Sequence, residues 1–237
     1  MTGWHFPKWK QPLKTAAPKA SLDIKMKYLT MTSPAYADLT DHMIATSGVG
    51  FDDWEIMHEP QKSNGNFGER WFNEICCKRP KRILELLREG HDVFVVDGDV
   101  TFFEPITEIQ IHPKADVQAQ IDPDSGLCCG VILYKSNYRV IEFMEIVLQN
   151  CIEIDSATND QVITNAVIKQ FPQVQPRLAP FNTIHSFGTL VEPRIWNGDD
   201  FDIPVDCQAF HANYCVGIAK KIELLKYARI QWKKNRN

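Results

Sequence analysis

The sequence has no Cys-x-x-Cys pair, no regular cysteine spacing, no apolar run long enough to cross a bilayer and no excess of basic charge, and each absence removes a class of protein. Seven cysteines, an odd number that includes the neighbours Cys76-Cys77 and Cys128-Cys129, do not make a disulfide framework. They fit a reducing compartment. Without paired cysteines a structural zinc site also lacks its usual ligands. A formal net charge of -4 gives no broad electrostatic grip on nucleic acid, and Lys233-Lys234-Asn235-Arg236 reads as a solvated tail. The first residues carry Trp4 and Trp9 but also Pro7, Pro12 and Pro18, which prevent an amphipathic membrane-surface helix. With neither a signal peptide nor a transmembrane segment visible, the expectation is a cytoplasmic protein whose residues 1–26 form an extended arm on a single domain, 27–237.

What is present is ordinary globular composition, 44% hydrophobic and 24% charged, in a chain long enough to bury a sizeable core. Apolar patterning predicts a strand over residues 27–33, a helix over 35–46 stopped near Gly48, and a strand over 51–58, which together make a β-α-β opening. A polar loop over 60–68 leads to a helix over 69–77, then to a second helix that opens at Pro80 and stops at Gly90. Strands over 116–121 and 130–134, helices over 138–150 and 160–170, and a C-terminal helix over 218–232 complete the reading. The stretch from Phe171 to Asp206 gives only short mixed apolar runs.

The strand His91-Asp-Val-Phe-Val-Val96 carries four consecutive apolar residues, the mark of a strand buried on both faces in a largely parallel sheet. Asp97-Gly98-Asp99 therefore emerges at a carboxyl edge, where open α/β sheets place their ligands. Two carboxylates one residue apart on an extended segment point the same way, and the intervening glycine lets the backbone turn closely around an ion. A hard divalent cation suits those oxygens and can also bind the phosphates of a nucleotide.

The phrase from His91 to Pro105 resembles the nucleotide-diphospho-sugar transferase family, whose members are glycosyltransferases of the A-type fold. The likeness continues through Arg79-Pro-Lys-Arg-Ile-Leu-Glu-Leu-Leu-Arg-Glu-Gly90, Cys129-Gly-Val-Ile-Leu-Tyr-Lys-Ser-Asn137, Asn159-Asp-Gln161 and Phe210-His-Ala-Asn-Tyr-Cys-Val-Gly-Ile-Ala-Lys-Lys221, in the family's order. It implies an α/β single-domain fold with a mostly parallel central sheet flanked by helices. The implied reaction is metal-dependent transfer of a sugar from a nucleoside-diphosphate sugar, with UDP as the expected nucleotide, to a hydroxyl of a glycan or glycoprotein acceptor, with retention.

The resemblance implies that Asp97 contacts the ribose and metal region, that Asp99 ligates the metal and that His211 completes the ligand set. One imidazole among oxygens favours Mn²⁺ over Mg²⁺. His211 could instead be a core histidine beside Phe210 and Tyr214. Arg79 and Gly98 are counted with the donor-binding residues. Gly217-Ile-Ala-Lys220 resembles a Gly-x-x-Lys that holds the diphosphate, with Lys221 as the neighbouring alternative, and Asn213 could reach metal or sugar. Thr32, Ser33 and Tyr36 are the candidates for the base pocket, although Ser33 could simply cap a helix. Asp122, Asp124, Asp160 and Gln161 are the candidate catalytic groups on the sugar and acceptor side, Asp160 having a helix N-cap as its plainer role.

Two rival readings remain open at this point. Asp97-Gly-Asp-Val-Thr101 also looks like the haloacid dehalogenase signature of phosphohydrolases, with Asn197-Gly-Asp-Asp200 as late magnesium ligands, although that signature normally opens its domain. A catalytically silent nucleotide-sugar-binding module would carry nearly the same motifs.

Overall fold

A computed structural model describes residues 25–62, 68–154, 157–192 and 194–236. The expected N-terminal arm, apart from Lys25 and Met26, and the middle of the 60–68 loop lie outside the described residues. The elements run β1 (Met26–Thr32), α1 (Ala37–Ser47), β2 (Trp54–His58), α2 (Arg70–Cys76), α3 (Arg79–Arg88), β3 (Asp92–Val96), β4 (Val100–Phe102), β5 (Val117–Asp122), β6 (Gly126–Tyr134), α4 (Tyr138–Glu153), α5 (Asp160–Gln170), β7 (Leu178–Pro180), β8 (Ile184–Ser186), α6 (Phe187–Leu190), β9 (Ala209–His211) and α7 (Ile218–Lys234).

Six strands form the main sheet in the order β2-β1-β3-β6-β5-β7. The pairings β1/β2, β1/β3 and β5/β7 are parallel, and β6 runs antiparallel to both its neighbours, so β6 alone opposes the other five. Burial on both faces of β3 follows from its alternation. Val93 and Val95 join Leu29, Ile132, Leu86 and Met144 in the layer made with α3, α4 and α5. Phe94 and Val96 join Met43, Ile44, Val131 and Leu133 in the opposite layer, beneath α1. The expected mostly parallel α/β sheet, covered on both sides, is what these apolar runs build.

Several boundaries shifted for local reasons. Gly48 takes φ 73, the left-handed value that ends α1, as its position in the sequence predicts. Pro34–Tyr36 and Phe51–Asp53 form single 3-10 turns in place of the first turn of the helix and the start of the strand. The segment expected to be irregular contributes β7 and β8, and β8 joins a second, three-stranded sheet of order β4-β9-β8. These strands are three residues long, too short for any period-2 pattern to register. Val100 pairs with His211 in this small sheet, which is how a histidine far along the chain returns to the Asp97-Gly98-Asp99 turn.

The start of β5 is fixed by Asp116. Its buried carboxylate accepts from Arg177 N, Nε and Nη2 at 2.9, 2.9 and 2.7 Å and from Asn137 Nδ2 at 3.1 Å. The Arg177 hydrogen bonds outweigh the opposing effect of burial and hold its pKa at about 2. Because that value lies below the unfolded one of about 3.9, the stabilisation is present in full above the unfolded pKa and is lost as the pH falls through the folded one. Asp116→Ala should lower stability at neutral pH by about 2 to 3 kcal/mol. The gap from the parent should narrow on acidification, which urea unfolding midpoints at neutral pH and near the folded pKa will measure.

Candidate active site

β3 ends at Val96 and the chain turns at once through Gly98 and Asp99 into β4. The two carboxylates therefore converge across a turn, not along an extended segment. Gly98 also has a different reason for being glycine: a Cβ there would stand 2.5 Å from Thr40 Oγ1, so α1 packs directly on the turn. Asp99 is buried, whereas the Asp97 side chain is about a third exposed.

β9 sets His211 opposite this turn, and Ala212 N donates to Asp99 O at 2.9 Å to lock the two segments together. His211 Nε2 lies 3.3 Å from Asp99 Oδ1 and 3.9 Å from Asp97 Oδ2. One ligand atom from each of Asp97, Asp99 and His211 falls within 4.8 Å of the others. On the far side of the ring, His211 Nδ1 stands 2.9 Å from Gln120 Oε1. An amide oxygen only accepts, so Nδ1 carries a proton and Nε2 is directed at the carboxylates, the arrangement found behind metal-ligating histidines.

The site is a tight cradle. A Cβ on Gly130 would lie 2.4 Å from Asp97 Oδ2 and 2.6 Å from His211 Cε1, and Asp97 N donates to Gly130 O at 2.7 Å. Two carboxylates and one directed imidazole nitrogen form a donor set that fits a divalent cation with oxygen preference. Asn213 belongs to the same wall, with its Nδ2 3.9 Å from Cys128 Sγ, itself 3.8 Å from His211 Nδ1.

Electrostatics reinforce the geometry. Burial would raise the Asp99 pKa, but the Lys221 ammonium and His211 outweigh it and hold the carboxylate far below its usual range. Burial disfavours the charged form of His211, yet Asp99 and Cys128 bring its pKa up to about 10. Lys221 Nζ forms a salt bridge with Asp99. Lys220 instead donates to Asn197 Oδ1 at 2.7 Å on the exposed side, so Lys221 is the lysine at the site and Lys220 faces away. Gly217 takes φ 90 at the start of α7 and the Lys221 N–H returns to its carbonyl at 3.0 Å, which sets the first turn of that helix.

Behind Asp97 lies Arg79, the first residue of α3 and buried. Its Nη1 donates to Asp97 Oδ1 at 2.6 Å, while Nε and Nη2 donate to Asp160 Oδ2 at 2.9 and 2.8 Å. Asp160 does not cap α5. That role belongs to Asn159, whose side chain accepts from Val162 N at 3.0 Å. Gln161 Oε1 accepts from Cys129 N at 3.0 Å, and its Nε2 reaches Ser125 Oγ at 2.8 Å and Asp122 Oδ2 at 3.4 Å. Asp122 and Asp124 sit together on the β5–β6 turn, both in contact with the Tyr214 hydroxyl.

Thr32 and Ser33, at the end of β1, line a cavity of about 330 Å³ with Thr40, Asp41, His58 and Glu59. Ser33 stands at the N-cap position of the Pro34–Tyr36 turn, but its side chain makes no capping bond; its hydroxyl donates to Gln61 Oε1 at 2.6 Å. Tyr36 lies beside the charged cluster, where burial, Asp99 and Asp97 raise its pKa against the opposing Lys221. The haloacid dehalogenase reading fails on contacts, because Asp199 pairs with Arg194 at 2.9 Å and Asp200 accepts from Tyr227 at 2.9 Å, leaving neither in the Asp97 group. Sequence reasoning missed Gln120, Tyr214 and Gly130. Only Gly130 left a signal, since an isolated glycine inside a strand marks a close approach.

Gly130→Ala should therefore separate Asp97 from His211. We expect affinity for a divalent cation, probed with Mn²⁺, to fall by about ten- to a hundredfold, the scale on which disturbing the support of metal ligands acts. Mn²⁺ titration followed by electron paramagnetic resonance checks this, with circular dichroism to confirm folding.

Comparison with known proteins gives the family and the fold. Residues 47–225 match the profile of the family described as nucleotide-diphospho-sugar transferase. A UDP-galactose:fucoside alpha-3-galactosyltransferase of Dictyostelium discoideum is 28% identical over 104 residues, which span 40% of this chain but only 16% of that relative's length. The glycosyltransferase involved in glycosylation of the major capsid of PBCV-1 superposes with a TM-score of 0.56 at 13% identity, over 85% of this chain and 98% of that one. The apo glycosyltransferase GlyE of Streptococcus pneumoniae TIGR4 gives 0.51 at 13% identity, over 90% and 62%. At such identities these structures speak for the fold, and that fold is the A-type glycosyltransferase one. With a profile matching most of its length and the turn, the histidine and the sheet in the arrangement described, the chain belongs to the nucleotide-diphospho-sugar transferase family.

Proposed function

We propose that this protein transfers a sugar from a nucleoside-diphosphate sugar, a UDP-sugar in the first instance, to a hydroxyl of a glycan or glycoprotein acceptor, with a divalent cation, Mn²⁺ or Mg²⁺, held by Asp97, Asp99 and His211. The observation that carries this reading is the convergence of those three ligand atoms within 4.8 Å at the carboxyl edge of β3. When bound, the cation offsets the negative charge that develops on the departing diphosphate.

The chain's own residues supply the rest. Arg79 holds Asp97 in place through Nη1, and Gln120 holds the tautomer of His211. Lys221 can exchange the Asp99 carboxylate for a diphosphate oxygen, bringing a second positive charge to the leaving group. Gly98 brings the turn close to Thr40 of α1, which also lines the cavity with Thr32 and Ser33 proposed to receive the base, and Tyr36, Asn213 and Gly217 are proposed to contact the ribose and diphosphate. Lys220, bonded to Asn197, drops out of the proposed diphosphate contacts.

Asp160 is buried and accepts two hydrogen bonds from Arg79, so the role proposed for it is to hold Arg79 and, through it, Asp97. Gln161, with its amide fixed by Cys129, is the group proposed to face the anomeric carbon, and Asp122 and Asp124 are proposed to face the hydroxyls of the sugar. On this assignment the transfer proposed is a retaining one. The Dictyostelium relative's own name pairs a UDP-sugar with an α-linked product, in keeping with a UDP donor here.

UDP release from UDP-galactose, UDP-glucose and UDP-N-acetylglucosamine in the presence of Mn²⁺ tests the reading. Release that is abolished by chelation and falls at least a hundredfold in Asp99→Ala is the expected result, on the scale of losing one electrostatic contact to a developing charge. Metal-dependent binding of the donors with no turnover, even with sugar acceptors supplied, would leave a silent binding module instead.

A further inference from the structure

Tyr214 follows His211 by three residues and is the one non-glycine with positive φ among the described residues, at φ 56. Side chains rarely adopt that conformation, so the surroundings must hold it there. They do so on two sides. Trp196 N donates to Tyr214 O at 2.7 Å, and the ring lies over Gly188, where a Cβ would stand 2.6 Å from Tyr214 Cδ2. The strained backbone and the bare glycine together aim the phenol at the β5–β6 turn.

There its hydroxyl lies 2.9 Å from Asp124 Oδ2 and 3.2 Å from Asp122 Oδ1. A phenol carries one proton and can donate to only one of the two at a time. Asp122 Oδ1 already accepts from Asp124 N at 3.0 Å and Ser125 N at 2.8 Å, which closes the turn without any help from Tyr214. Gathering two carboxylates on one hydroxyl adds like-charge repulsion and leaves surplus acceptor capacity, so the turn itself gains little from it. The chemistry that such a pair satisfies is a set of neighbouring hydroxyl donors, as on a sugar ring.

The turn is also tied to the cation site from both ends. Gln161 bridges Asp122 to Cys129, next to Gly130 and its bond to Asp97. Tyr214 bridges it to the strand that ends in His211.

We propose that Tyr214 is a positioning residue for the donor: its hydroxyl sets Asp122 and Asp124 against the hydroxyls of the transferred sugar and so governs recognition of the sugar half of a nucleotide sugar, not of its nucleotide half. The proposal rests on the nucleotide-sugar reading given above. It assigns Tyr214 no part in metal binding.

Calorimetric titration with Mn²⁺ present separates the two halves. UDP and each of UDP-galactose, UDP-glucose and UDP-N-acetylglucosamine are titrated into the parent, Tyr214→Phe and Asp124→Asn. For the UDP-sugar that the parent binds most tightly, Tyr214→Phe should weaken binding roughly tenfold, the loss of one charge-assisted hydrogen bond, with UDP affinity unchanged. Asp124→Asn should move the ratio of the two affinities in the same direction, and the double variant should be no worse than the product of the singles. An unchanged ratio, or equal weakening of UDP and UDP-sugar, overturns the positioning role. Should Tyr214→Phe fail to fold by circular dichroism, Asp124→Asn alone decides, because Asp124 is exposed on a turn that Asp122 closes. A parent that binds neither UDP nor any UDP-sugar overturns the proposed function and this inference with it, whereas a parent that binds them with a ratio the variants leave alone overturns the inference only.

Discussion

A guanidinium buried between two carboxylates is the constraint on which the rest of the site depends. Arg79 is buried, and the cost of burying its charge is offset by Asp160 and Asp97, which both accept from it and outweigh the effect of burial on its pKa. Removing either acid would leave part of the buried guanidinium without its acceptor. The three residues come from the start of α3, the end of β3 and the start of α5. One side chain therefore fixes how far apart the proposed cation end and the proposed sugar end of the site can be, and it leaves Asp97 with one oxygen bonded to Arg79 and the other facing His211.

The second constraint is lack of space. Gly98 lets α1 lie directly on the Asp97-Asp99 turn, and Gly130 lets Asp97 and His211 meet over a bare backbone. Close packing of this kind has low tolerance for added atoms. It also excludes water from Asp99 and His211, so each charge there acts strongly on its neighbours. The coupled shifts of Asp99, His211 and Lys221 are the electrostatic expression of that packing.

Family membership and geometry speak to different parts of the molecule. The profile match and the fold establish the architecture and the place of the Asp97-Gly98-Asp99 turn in it. The contacts among Tyr214, Asp122, Asp124 and Gln161 come from the side-chain geometry alone, and the place proposed for the donor sugar rests on them.

The sequence by itself determined the sheet and its helices, because long apolar strands and amphipathic helices write their burial locally: β3, α3, α4 and α7 stand close to where periodicity puts them. It also determined the acidic turn after a strand buried on both faces. Resemblance alone brought in His211, since β9 is three residues long and its partner β4 lies more than a hundred positions away. Only the tertiary structure decided that Lys221 and not Lys220 meets Asp99, that Asp160 anchors Arg79 while Asn159 caps the helix, that Gln120 stands behind His211 and that Tyr214 meets Asp122 and Asp124. Those outcomes depend on which way a side chain points after distant segments have packed, and no local pattern of residues encodes that direction.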